Sequence, residues 1–337
     1  MAGPIQGDIL DTLLLIALPA SGKSEVRRYL KWVAPEARRA EFHLGDQVQL
    51  DDFPYVHFLR VIDDALEAER RPRAFYPDLH HGFYEGRDWG TLLRLVSEDY
   101  AFVRDPAAPR PSTDASGLFA RIDRARAAVG APAVFSGLDA RLVAALAARL
   151  EGEADRLHGE LYAHRPASLA GRTVVIEFAR GGPAGAAFPL PAPHGYLWSL
   201  AHLSPQILER AAVLYVWVTP EESRRKNSAR ADPNDPGSIL HHSVPMAVMT
   251  GDYGTCDLGW LMEQSDRPDT VRVEAGGRTF RLPVGRFDNR VDKTSFVRDA
   301  PEGWAPADVA ALHGGLRSAL DAVWSAATAA STTSKSV

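Results

Sequence analysis

Residues 11–17 (DTLLLIA) form an almost unbroken apolar run that stops at Pro19. A short run of this kind, bounded by turn residues, predicts a strand buried on both faces of a parallel sheet. The period then changes: Val26, Tyr29, Leu30 and Val33 fall on one helical face. The unit reads as strand, tight loop, helix. Residues 48–50 predict a second short strand running into Asp51-Asp52, and Val56, Leu59, Ile62, Ala65 and Leu66 mark an amphipathic helix. Residues 173–178 (TVVIEF) and 213–218 (VLYVWV) predict two more buried strands, and 271–273 with 279–282 flank Gly276-Gly277 as a hairpin.

Between these framework segments, Ser136 with Asp139 three residues on predicts the start of a long helix. Leu138, Leu142, Leu146 and Leu150 carry it at i, i+4 spacing, extended by Leu157 and Leu161. Residues 72–90, 105–116 and 181–193 read as loops, 307–327 as a final amphipathic helix, and 328–337 as a disordered tail. Alternating strands and helices predict an α/β fold: a three-layer, doubly wound, mostly parallel sheet with a helical insertion and an arginine-bearing lid. The core is expected at 1–69 and 171–327, the lid at about 220–245 and the insertion at 70–168.

With 337 residues, 45% hydrophobic and 24% charged, the chain has ordinary globular composition. Its net charge of −5 speaks against nucleic acid as a partner, although Arg121, Arg124 and Arg126 leave room for a local basic groove. Cys256 is the one cysteine, which excludes an intramolecular disulfide and suits a reducing compartment. The start Met1-Ala2-Gly3-Pro4 lacks the basic residues of a secretory signal, and the apolar run 13–18 is too short to cross a bilayer. These features predict a soluble, cytoplasmic protein with no membrane partner.

The segment 17–24 (ALPASGKS) matches the phosphate-loop pattern G-x-x-x-x-G-K-[ST], with Ala17 at the first glycine. The chemistry accounts for the residue types. Gly22 allows close approach of the backbone, and successive N–H groups of Pro19, Ala20, Ser21, Gly22, Lys23 and Ser24 (proline excepted) build an anion nest at a helix start. Lys23 brings a mobile charge to the terminal phosphates, and the Ser24 hydroxyl is suited to Mg²⁺. Ala17 is tolerable there only if its φ is negative. The expected cofactors are ATP or GTP with Mg²⁺.

Pro19–Glu25 (PASGKSE) resembles the phosphate loop of small-molecule kinases in the P-loop superfamily, and Gln49-Leu50-Asp51-Asp52-Phe53 resembles the Asp-Asp-Phe/Tyr motif of uridine-kinase-like and nicotinamide-riboside-kinase-like enzymes. The resemblance implies that Asp51 accepts the proton of an acceptor hydroxyl, with Asp52 beside it orienting Mg²⁺ or substrate. A plainer reading makes Asp52 the cap of a helix starting at Pro54. Glu177, near the end of the third strand, is either the acidic residue that reaches Mg²⁺ through water in such proteins or a solvent-facing carboxylate. The basic cluster Arg224, Arg225, Lys226 and Arg230 resembles a kinase lid, whose arginines stabilise charge on the transferring phosphoryl group; otherwise it is a solvated helix face.

The resemblance covers the framework segments and leaves 70–168 unmatched, so the insertion is expected to build the acceptor site. The aromatic segment Phe75, Tyr76, Phe83, Tyr84 and Trp89 reads as packing or as a stacking surface. The pairs His80-His81 and His241-His242 point their rings apart and do not make a natural metal site. Asp288-Asn289-Arg290 lies where it could meet a base. Taken together, the expected function is Mg-ATP-dependent transfer of a γ-phosphoryl group to a hydroxyl of a nucleoside- or sugar-like small molecule. The alternative is a nucleotide-driven switch or ATPase acting on a protein partner.

Overall fold

The computed structural model of the chain describes residues 3–333 apart from 106, 109, 164 and 230–242. Arg230, His241, His242 and half of the expected lid lie outside the described residues. A small hairpin of β1 (Ile5–Gln6) and β2 (Ile9–Leu10) precedes β3 (Thr12–Ala17), and the loop 18–22 leads into α1 (Lys23–Trp32). Then follow α2 (Pro35–Phe42), β4 (Asp46–Asp51), α3 (Phe53–Ala68), α4 (Asp88–Arg104), α5 (Ala115–Ala128) and α6 (Ala140–Ala163). The chain returns through β5 (Arg172–Ala179), α7 (Gly195–Leu200), α8 (Pro205–Leu208), β6 (Ala211–Trp217) and α9 (Pro220–Ala229). It ends with α10 (Met246–Gly251), α11 (Leu258–Glu263), the hairpin β7 (Thr270–Ala275) and β8 (Arg278–Asp288), and α12 (Pro306–Thr333).

Six strands form one sheet in the order β4-β5-β3-β6-β8-β7. Neighbours are parallel except β7, which runs antiparallel to β8. The Gly276-Gly277 turn has φ of 57° and 72°, the doubly positive geometry that a two-residue hairpin requires. The apolar run of β3 is unbroken because it serves two cores. Leu13, Leu15 and Ala17 pack with α1, α2 and α12, whereas Leu14 and Ile16 pack with α3, α4 and the rest of the insertion. The fold is therefore an α/β sandwich of three layers. The insertion shares the hydrophobic core of the sheet and builds one of the outer layers.

Several expectations need correction. Ser136 does not start a helix: 135–137 is a single 3₁₀ turn whose amide at Ser136 donates to Asp123, and α6 begins at Ala140 with Asp139 accepting from Arg141 N. Asp88 already opens α4 inside the expected loop 72–90, because Trp89, Leu92, Leu93 and Val96 have a core to enter. The final helix runs on to Thr333, so the tail expected from Thr328 is helical through its first six residues. Arg121, Arg124 and Arg126 do not form a basic groove, since only Arg124 is exposed. Arg121 is inside the insertion, donating to Asp99 at 2.9 Å and to Glu98 at 2.8 Å, and Arg126 is paired with buried Asp88. Tyr55 donates to the same Asp99 at 2.5 Å, so this charge network ties α3, α4 and α5 together.

α12 lies so close to β8 that a Cβ on Gly285 would fall inside van der Waals contact of the Ala319 carbonyl and 2.8 Å from Val323. Gly314, on the outer side of the same helix, meets nothing. Gly285→Ala is expected to cost about 1–3 kcal/mol, through displacement of α12. Gly314→Ala is expected to stabilise by up to about 1 kcal/mol through helix propensity. Urea denaturation of the two variants beside wild type checks the opposite signs.

Candidate functional site

β3 is central, and the chain leaves its carboxyl end towards β4 while the neighbouring β6 leads the other way, towards β8. Ligands of doubly wound sheets bind where connections diverge in this manner. The loop 18–22 occupies that point. Ala17 belongs to the strand, paired with Ala179 in the ladder, and is not among the positive-φ residues, so alanine is accommodated there. The left-handed positions are Ala20 (φ 54°) and Gly22 (φ 98°). A side chain at Gly22 would strike the Thr294 hydroxyl and approach Asn289 Nδ2 at 3.0 Å, so packing as well as φ demands glycine.

Side chains hold the loop and the end of β3 by their carbonyls. Tyr196 OH donates to Ala17 O at 2.9 Å, Ser21 Oγ to Leu18 O at 2.7 Å, Ser223 Oγ to Pro19 O at 2.7 Å and Asn289 Nδ2 to Ser21 O at 2.8 Å. Lys23 folds back over the loop, with Nζ 3.4 Å from Leu18 O. By contrast, the N–H groups of Ala20, Ser21 and Gly22 and the Ser24 hydroxyl have no acceptor among the described residues. Carbonyls tied down and amides left over at a helix start constitute an anion-binding nest.

Beside the loop, the strand ends supply acids. Asp51 and Glu177 are ladder partners on β4 and β5 and share a face of the sheet, the face that α1 covers. Arg27 of α1 lies between them, 2.6 Å from Glu177 and 3.8 Å from Asp51. Asp52, one residue on, turns to the opposite face and pairs with Arg180 at 2.8 Å. Arg180 is held in turn by the Trp89 carbonyl at 2.9 Å. Burial raises the Asp51 carboxyl to about 8, with Glu177 and Asp52 adding to it; the Phe53 N–H, donated at 2.8 Å, and Arg27 oppose this. A carboxyl near 8 is poised to exchange a proton near neutral pH.

A cleft of about 1090 Å³, including its open mouth, joins the loop, Asp51, Asp52 and Glu177 to an aromatic recess. Phe53, Val56 and Arg60 of α3, with Tyr76, Trp89 and Tyr253, wall that recess. The aromatic segment thus both packs and lines: Phe75 is in the core, Tyr76 and Trp89 border the cleft and Tyr84 is exposed.

Other expected site residues lie elsewhere. On α9, Ser223, Lys226 and Asn227 turn inwards, while Arg224 and Arg225 pair with Glu221 and Glu222 one helical turn back and do not line the cleft. Lys226 instead meets Asp292 at 2.9 Å, and Asn227 both donates to and accepts from Val244, each at 2.8 Å. Asn289 is used on the loop and on Lys293 N, and Asp288 pairs with Arg290. Asp52 and Glu177 are each held by an arginine, and no group of three metal-ligating side chains occurs among the described residues. His81 pairs with Asp78 on the surface. Burial pushes the Cys256 thiol up to about 12, which removes the thiolate a redox role needs. No described helix is long and apolar enough to cross a membrane.

Sequence reasoning missed Arg27, Arg180, Arg60 and the hold of Asn289 on the loop, having given Asn289 a contact with a base instead. Arg27 had a signal, since it follows Lys23 by one helical turn on the face of α1 that meets the sheet; the other three depend on long-range contacts. In comparisons with protein-family models, curated proteins and solved structures, none matches this chain.

The raised Asp51 carboxyl has a consequence for stability. The folded chain keeps this proton up to about pH 8, whereas the unfolded chain releases it near 3.9. Wild-type stability therefore falls as pH rises through that window, and the full cost is present above it. Asp51→Asn keeps the acceptor for Phe53 N–H and cannot ionise. It is expected to be close to neutral at pH 4 and to stabilise the ligand-free protein at pH 9 by at least about 1.4 kcal/mol. Thermal melts across pH 4–9 check the sign.

Proposed function

We propose that the cleft binds a nucleoside triphosphate with Mg²⁺ and transfers its γ-phosphoryl group to a hydroxyl of a small molecule. The observation that carries this reading is the asymmetry of the segment 17–22, whose carbonyls are bound by Tyr196, Ser21, Ser223 and Asn289 while the consecutive amides of Ala20, Ser21 and Gly22 face no acceptor among the described residues. Polyphosphate oxygens satisfy such amides, and Lys23 and the dipole of α1 add positive charge.

Mg²⁺ fits the donor set. Among the described residues the Ser24 hydroxyl has no acceptor, and Asp51 and Glu177 stand on adjacent strand ends, within reach through water. When bound, the ion neutralises phosphate charge; the protein supplies the remainder. Asp51, in the fraction that is ionised near neutral pH, accepts the acceptor's hydroxyl proton. The new P–O bond forms as the bond to the β–γ bridging oxygen breaks, and the nucleoside diphosphate leaves with that electron pair. Arg27 holds Asp51 and Glu177 in place, and Arg180 keeps Asp52 turned away from the reacting atoms.

The recess beyond Asp51 favours a small-molecule acceptor over the alternative of a nucleotide switch, because water alone needs no apolar chamber. Mg²⁺-ATP or Mg²⁺-GTP at millimolar concentration is expected to raise the melting temperature of wild type. Lys23→Ala should abolish that rise without unfolding the protein. Asp51→Asn should retain the rise yet lose transfer by about 10²–10⁴-fold, measured as acceptor-dependent release of diphosphate. A wild-type rate in Lys23→Ala would overturn the assignment.

A further inference from the structure

We propose that the acceptor carries an anionic group, a carboxylate or a phosphate, remote from its reacting hydroxyl, and that Arg60 binds it. The inference rests on the phosphotransferase reading of the cleft and narrows its substrate class.

Phe53, Val56 and Arg60 recur at three and seven residues, so α3 presents all three to the cleft. At 1.5 Å rise per residue, Arg60 stands about 10 Å along the axis from Phe53, which adjoins the acids. Its guanidinium lies 3.9 Å from the centre of the Tyr76 ring, and its hydrogen bond is a long one, 3.4 Å, to the Asp78 carbonyl. Among the described residues Arg60 has no carboxylate partner. The surrounding arginines do: Arg180 has Asp52, Arg73 has Asp64 and Glu67, and Arg126 has Asp88. The acids of α3 are themselves committed. Buried Asp63 accepts from the amides of Ala74, Phe75 and Tyr76 at 2.6, 3.1 and 2.7 Å, and this grip sets the Tyr76 ring under Arg60.

The Tyr76 hydroxyl, buried at the same end, has no hydrogen-bond partner among the described residues. Between this end and Asp52 runs a chain of ring contacts, Tyr76 to Phe83 at 4.5 Å, Phe83 to Trp89 at 4.8 Å and Trp89 to Tyr253 at 5.6 Å. A half-buried guanidinium fixed on an aromatic face, with no counter-ion, selects a planar anion or a phosphate. The ring wall selects a flat or apolar middle. The substrate class is accordingly an elongated hydroxyl compound with an apolar or planar body and an anion at its far end. A neutral sugar would leave Arg60 unmatched.

The test uses matched pairs on the full chain: a nucleoside 5′-monophosphate against its nucleoside, and 4-(hydroxymethyl)benzoate against its methyl ester. Melting temperature is followed against concentration with and without Mg²⁺-ATP. The charged member of one pair is expected to act at about tenfold lower concentration than the neutral one, and which pair responds separates phosphate from carboxylate. Arg60→Gln should erase that preference while the shift from nucleotide alone stays at the wild-type value. Arg60→Lys, which keeps the charge without the fork, should retain part of it and serves if the glutamine variant does not fold. Equal potency within every pair, no binding by any member, or a preference that survives Arg60→Gln overturns the proposal. Absence of any nucleotide shift would remove the phosphotransferase reading, and the charged-member preference measured without nucleotide would still decide the role of Arg60.

Discussion

The structure depends on how the loop after β3 is held. Its carbonyls are bound by side chains from α7, α9 and the segment after β8, elements far apart in sequence. A peptide unit that gives its carbonyl to one side presents its N–H to the other, so the bonds to the Ala17, Pro19 and Ser21 carbonyls turn the Leu18, Ala20 and Gly22 amides the opposite way. Each bond is ordinary in strength, about 1 kcal/mol net. Their joint effect is geometric, because a left-handed Ala20 and Gly22 persist only where the surroundings over-determine them.

The same economy governs the acids. Asp51 ends β4 on the face that α1 covers, whereas Asp52 follows the strand in the helical region as the first turn of α3 begins, so the two carboxylates meet different counter-ions. Each meets an arginine from its own side of the sheet, Arg27 from α1 and Arg180 from the end of β5. The geometry separates two chemically identical groups into different environments. Asp52 is closely paired, whereas Asp51 faces Glu177 across the ladder and has its arginine farther away. Environments that differ in this manner give neighbouring carboxylates different roles.

Much of this was legible in the chain. The strands with continuous apolar runs, the Gly-Gly hairpin and the helices with i, i+4 leucines carry their own periodicity, and so does the loop at 17–24. What escaped is what periodicity does not encode. The turn at Ser136 is fixed by Asp123, thirteen residues earlier, and α4 forms within a Gly- and His-rich stretch because the core accepts its apolar face. In the basic segment, charge counting pointed to Arg224 and Arg225, yet the helix turns Lys226 inwards and leaves both arginines on their own glutamates. Arg60 was unremarkable in sequence; what distinguishes it in space is that it has no carboxylate partner among the described residues.

The two bonds between Asn227 and Val244 fasten α9 to the segment that precedes α10. One helical turn earlier on the same helix, Ser223 holds the Pro19 carbonyl. Val244, Pro245 and Val248 in turn line the cleft. α9 therefore couples two parts of one site: a shift of this helix along its axis would move the anion nest and the opposite wall of the cleft together.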